Sequence, residues 1–139
     1  MTIHKRAFET NESVGWEPPT DESRYLGCML GGAVGDALGA PIEFSTFDEI
    51  QATHGPQGVT GFEDGIWAPG TFTDDTQMTL FTAEGLIRAD NRMRERGICD
   101  VPRVIWRAYQ RWLNTQGELV PWDHGLPAGP SGWLTVVPS

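Results

Sequence analysis

Paired thiols are missing from these 139 residues: the two cysteines, Cys28 and Cys99, lie far apart with no CxxC spacing. That argues against a disulfide framework or a thiolate zinc site, fits a reducing compartment, and predicts two buried thiols. Long apolar runs are missing too. Nowhere do roughly 18 consecutive apolar residues occur, and the opening MTIHKRAFET has no run of signal-peptide length, so a soluble, cytoplasmic protein with no membrane partner is expected. Positive charge is scarce: 10 Lys and Arg against 19 Asp and Glu give a net charge of −9, which disfavours a nucleic-acid partner. No GxxxxGKS or GxxxxGKT, no GxSxG and no strand-bounded GxGxxG occurs. Nucleoside triphosphatase, serine hydrolase and dinucleotide oxidoreductase chemistry thereby lose their usual signatures. Period-two alternation is lacking over any useful length, so strands are not needed and the fold class is all-α.

What is present fits one domain. Residues 1–21 are polar, contain Pro18 and Pro19, and read as a flexible leader. Residues 22–117 carry the helical pattern, and residues 118–139, rich in Pro, Gly and Trp, read as an irregular tail. Three helices are expected. The first spans about 21–38, capped by Thr20 or Asp21 and stopped by Gly39 and Pro41. Gly27, Gly31 and Gly35 recur on it at i, i+4 and i+8, which predicts close approach of another helix or a ligand. The second starts near Thr73 or Asp74, runs to about Ala89 and has the broad apolar face of a central helix. The third opens with Asp100 as cap and Pro102 in its first turn, places Val101, Ile105, Ala108 and Trp112 on one face, and closes before Gly117. Between the first two, residues 45–72 read as one long, glycine-rich connection of the kind that is functional or disordered.

Charge is unevenly placed. From residue 25 to 87 there are nine carboxylates and no Lys or Arg. Gathered around one concave site, such a set needs solvation, protonation or a shared cation; dispersed, it is an acidic surface. Arg88, Arg92, Arg94, Arg96, Arg103, Arg107 and Arg111 follow at helical spacing and read as a solvated face. The sharpest constellation is Thr73, Asp74, Asp75 and Thr76, where the glycine-rich connection becomes a helix. Its all-oxygen donors suit Mg2+ or Mn2+, and the same residue types would also serve as a helix cap. Glu43, just past a helix end in a turn fixed by Pro41, is placed to act as a general base or to orient a water; a solvent-facing glutamate is the alternative. Asp36, inside an apolar helix, must bond to backbone or to the next loop, and its role reads as structural. His4, His54 and His124 have no partner at ligand spacing, and Trp106, Tyr109 and Trp112 read as core and rim of the third helix.

The stretch YLGCMLGGAVGDALGAPIEF and, after the connection, PGTFTDDTQMTLFTAEGLI together resemble the N-terminal half of the ADP-ribosylglycohydrolase family, which includes the dinitrogenase reductase-activating glycohydrolases. AYQRWLNTQG resembles the family's following helix, so the likeness covers about residues 24–117. The resemblance implies an all-α fold with a binuclear Mg2+ or Mn2+ centre that hydrolyses the bond between ADP-ribose and an acceptor, on a protein or a small molecule. It makes Thr73, Asp74 and Asp75 metal ligands and Glu43 the acidic residue near the reacting centre. Metals would hold the ribose hydroxyls and orient water, carboxylates would favour positive charge at the anomeric carbon, and the helix start would hold a phosphate. The family's second acidic motif, Asp-x-Asp before Ser or Thr, has no counterpart after Gly117. That predicts a truncated or split fold, a missing C-terminal half, and exposed apolar surface with self-association. A non-catalytic ADP-ribose-binding or interaction module is the alternative function, and an unrelated metal-dependent phosphohydrolase a weaker third.

Overall fold

Thr20 sets the first helix. Its backbone is extended and its hydroxyl accepts from the Ser23 amide at 3.2 Å, with Asp21 and Glu22 complementing the helix dipole in the first turn. Helix α1 (Asp21–Gly39) then runs into Pro41, which converts its end to a 3-10 turn, Ala40–Ile42. The computed structural model describes residues 18–118 and 132–135. Most of the expected leader and tail, with His4 and His124, lies outside the described residues. Among the described residues there are four α-helices and no strand, so the all-α expectation holds. No helix among them is long and apolar enough to cross a membrane.

The fourth helix corrects the expectation of one long connection. Helix α2 (Phe47–His54) occupies part of residues 45–72, started by a capping box in which the Glu49 amide donates to Thr46 Oγ1 at 3.3 Å and the Thr46 amide donates to Glu49 Oε2 at 2.7 Å. The hydrogen bonds from the Thr46 amide and hydroxyl hold the Glu49 carboxyl below the ordinary glutamate range, against a small opposing effect of burial. A lowered folded-state value means that the cap's contribution is present above the ordinary glutamate value and is lost as pH falls through the depressed one. In a carbon-detected NMR titration, Glu49 is expected to titrate below a typical glutamate, and Thr46→Ala to return it upward.

Helix α3 (Asp74–Arg96) and helix α4 (Val101–Thr115) form an antiparallel hairpin across residues 97–100. Helix α3 runs seven residues past the expected stop at Ala89, because no breaker occurs before Gly97, which takes a left-handed φ of 69° and donates its amide to Met93 O at 2.9 Å. Asp100 caps α4 as expected, its Oδ1 accepting from the Arg103 amide at 3.2 Å.

The hairpin seam is tight because Gly85 faces α4: a methyl group there would sit 3.1 Å from Ile105 Cα and 3.3 Å from Ala108 Cβ. Ala89 and Ala108 are buried beside it, with Phe81 on the same helix. Polar pairs complete the seam, Thr82 Oγ1 to Tyr109 OH at 2.7 Å and Trp112 Nε1 donating to Gln77 Oε1 at 2.9 Å.

Helix α1 packs on the other side of α3 far more lightly. Only Ala37 of α1 is buried, while Leu26, Leu30 and Val34, spaced four residues apart, are 57%, 56% and 48% exposed. Exposed apolar surface therefore falls along α1, and also on the part of α3 that carries Leu86, Ile87 and Met93. The glycine stripe is corrected as well: a methyl group at Gly27, Gly31 or Gly35 would meet nothing within 4 Å. Cys28 is exposed and Cys99 half-buried, so neither is the buried thiol expected.

Candidate functional site

The end of α1 and the start of α3 are joined through one carboxylate. Asp36 Oδ1 accepts from the Thr73 hydroxyl at 2.7 Å, and Oδ2 accepts from the Thr73 amide at 2.8 Å, the Thr76 amide at 3.1 Å and the Thr76 hydroxyl at 2.6 Å. Partial burial pushes the Asp36 carboxyl upward, but these hydrogen bonds outweigh it and hold the group below the ordinary aspartate range, so it is ionised. Thr76 is the third residue of α3, and its amide is the donor that a helix-capping side chain normally satisfies. Thr73, at the capping position, makes no such bond. The cap of α3 therefore comes from α1, which is the bonding to a following segment that an acid inside an apolar helix requires.

Capping from a distance changes what Thr73, Asp74 and Asp75 are free to do. The Asp74 and Asp75 carboxylates are exposed and accept no hydrogen bond from the described residues, so capping does not account for these acids. Thr73 spends its hydroxyl proton on Asp36 and keeps its lone pairs. An open cleft of about 740 Å³ lies between α1, the turn after it and the first half of α3. Its volume is in the range of small-molecule sites, roughly 300–1,000 Å³. Glu43, Thr73 and Asp75 line it together with Asp36, whereas Asp74 does not. Gly31 and Gly35 lower its wall on the α1 side, which is what two of the three stripe glycines do in place of packing.

Glu43 ends the Ala40–Ile42 turn and is exposed. That turn is braced from the connection, since a methyl group at Gly65 would sit 3.2 Å from both Pro41 Cα and Cβ. No donor among the described residues engages the Glu43 carboxylate, which leaves it available to a water or a ligand.

The acidic region resolves into committed and uncommitted groups. Glu49 caps α2, and Glu63 pairs with His54 Nδ1 at 3.2 Å, giving that histidine a partner which spacing did not reveal. Glu84 is buried between Arg88 and Arg111, and Asp36 is engaged as above. The arginine face is thus corrected at Arg111, which is buried in a pair and not solvated. Among the described residues no three His, Cys, Asp or Glu side chains converge as a metal cage. The oxygen donors at the start of α3 nonetheless have the hardness that Mg2+ or Mn2+ prefers, and Mg2+ characteristically keeps waters beside one or two carboxylates. The amides of Thr73 and Thr76 are already spent on the Asp36 carboxylate, which leaves fewer donors for the phosphate expected at this helix start. Spacing alone does not pair Thr76 with Asp36, although two threonines three residues apart at a helix start offer the matching donors.

Residues 17–136 match the model of a family described as ADP-ribosylglycohydrolase. The ADP-ribosyl-[dinitrogen reductase] glycohydrolase of Rhodospirillum rubrum is 33% identical over 137 residues, covering 87% of this chain and 45% of that protein. An uncharacterized protein of Archaeoglobus fulgidus is 34% identical over 67 residues, covering 48% of this chain and 22% of that protein. The chain therefore spans less than half the length of these curated relatives. No solved structure gives a significant match.

Proposed function

The chain belongs to the ADP-ribosylglycohydrolase family, and we propose that it takes part in metal-dependent hydrolysis of the glycosidic bond between ADP-ribose and an acceptor, with an ADP-ribosylated protein as the substrate class. The observation that carries this is the division of labour among the acids. Asp36 takes over the capping of α3, and Glu43, Thr73 and Asp75 line one cleft with their acceptor oxygens uncommitted to described protein donors. Thr73, Asp74 and Asp75 would hold Mg2+ or Mn2+, and the family resemblance implies a pair of such ions in a complete site. A divalent cation bound there would supply a grip on the ribose hydroxyls and a lowered pKa for a bound water.

The chain's own groups do the rest. Glu43 faces the cleft as an ionisable acceptor, placed to take a proton from an attacking water and to favour positive charge developing at the anomeric carbon. The bracing of its turn by Gly65 and Pro41 holds the backbone from which that side chain projects. The low glycine wall of α1 leaves room for a bulky ligand beside it.

A second reading, an ADP-ribose-binding module without turnover, is favoured by the donor count: one hydroxyl and two carboxylates at the start of α3 fall short of the six ligands that Mg2+ takes, waters apart. Release of free ADP-ribose from ADP-ribosyl-arginine protein by the 139-residue chain separates the two. Release with Mg2+ or Mn2+ that stops on adding chelator is the expected outcome. Saturable ADP-ribose binding without release would establish the second reading in its place.

A further inference from the structure

We propose that Asp36 is a positioning residue for the cation site: its carboxylate aims the Thr73 hydroxyl so that the oxygen's lone pairs, and not its proton, are presented to the cleft. This rests on the metal-dependent reading above. An ionised carboxylate only accepts, so both threonine hydroxyls at 2.7 and 2.6 Å must donate to it. A hydroxyl whose proton is fixed on a carboxylate acceptor keeps its lone pairs for a cation, whereas a free rotor must first be oriented. Partners behind a ligand commonly govern affinity in this way, by about 10–100-fold.

The two carboxylate oxygens are not equivalent, and that makes the role separable from support of the fold. Oδ2 receives two backbone N–H groups, which can only donate, while Oδ1 receives the Thr73 hydroxyl alone. In Asp36→Asn the amide oxygen must therefore occupy the Oδ2 place, and the amide nitrogen faces Thr73. The number of hydrogen bonds is kept, yet Thr73 now accepts, which spends a lone pair and turns its proton away from residue 36. Thr76→Val does the opposite: it removes one bond from Oδ2 and leaves the Thr73 arm intact.

The test is Mn2+ titration of the full 139-residue chain, followed by the electron paramagnetic resonance signal of free Mn2+, with thermal unfolding recorded on each variant. Asp36→Asn is expected to raise the Mn2+ Kd by about 10–100-fold with a small change in midpoint. Thr76→Val is expected to lower the midpoint and leave the Kd unchanged. Equal Mn2+ affinity in Asp36→Asn and the parent chain, or equal weakening by Thr76→Val, would overturn the positioning role while leaving the cation site standing. A parent chain that takes up no Mn2+ would remove the cation site itself. Should Asp36→Asn not fold, the parent chain gives a second readout. A slowly exchanging Thr73 hydroxyl proton that persists in NMR spectra at saturating Mg2+ is the expected result, and its loss on Mg2+ binding would overturn the proposal.

Discussion

Replacing Glu84 with alanine is expected to lower stability by roughly 3–5 kcal/mol, the usual cost of leaving a buried charge without its partner. Glu84 is 2% exposed, and its carboxylate is held by Arg88 through Nε and a second nitrogen, both at 3.0 Å, and by Arg111 at 3.2 and 2.8 Å. Arg111 is itself buried, so removing the acid strands a guanidinium that cannot reach water without opening the seam between α3 and α4. Small domains hold only about 5–15 kcal/mol in total, and for a chain near this size the midpoint should fall by on the order of 15 °C. Thermal unfolding followed by circular dichroism measures it.

A paired substitution tells which physics is responsible. If uncompensated charge is the cause, Glu84→Leu combined with Arg111→Met should recover most of the loss, because apolar groups of similar volume replace such pairs at little net cost. If lost packing is the cause, the double variant should be no better than the single one. Gly132 limits the available volume, since a methyl group there would sit 2.6 Å from Glu84 Oε1, so larger replacements at position 84 are not a fair comparison.

That buried pair also marks where sequence reasoning stops. Caps and breakers are local, and they located α1 and α4 to within a residue or two: Thr20, Pro41, Asp100 and Pro102 each act within one turn. The box Thr46 and Glu49 was equally local, but the density of Gly and Pro around it concealed a helix of eight residues. Glu84 and Arg111 are 27 residues apart, and nothing in the arginine spacing distinguishes the one that turns inward beside Ala108. The glycines teach the same lesson. Three glycines repeat on α1, yet among the described residues the close glycine contact between two helices is made by Gly85, whose partner Ile105 lies on another helix.

At the candidate site the acids were legible and their assignment was not. Thr73, Asp74, Asp75 and Glu43 stood out by residue type and by their position at helix ends. Whether they cap or bind depends on who else satisfies the Thr76 amide, and that donor is met by an acid 40 residues earlier in the chain. Local sequence offers no measure of such a pairing, although the rule that a carboxylate in an apolar helix must find donors did anticipate that Asp36 would be bonded.

Asp75→Asn and Glu43→Gln are expected to separate binding from chemistry within the one cleft. Both side chains line it, and neither accepts a hydrogen bond from the described residues, so each substitution acts on what the cleft holds and leaves the hydrogen bonding among those residues intact. Asp75 is at the start of α3 beside Thr73, and removing its charge takes away one of two carboxylates from the proposed cation site; Mn2+ uptake should fall with it. Glu43 is on the other wall, in the turn braced by Gly65, and its substitution should leave Mn2+ uptake as it was. If it handles the proton of the attacking water, ADP-ribose release should drop by about 10²–10⁴-fold at saturating metal, the range typical of a lost general acid or base. A Glu43→Gln variant that loses Mn2+ together with activity would instead place Glu43 among the ligands, and one that keeps full activity would leave it a surface glutamate.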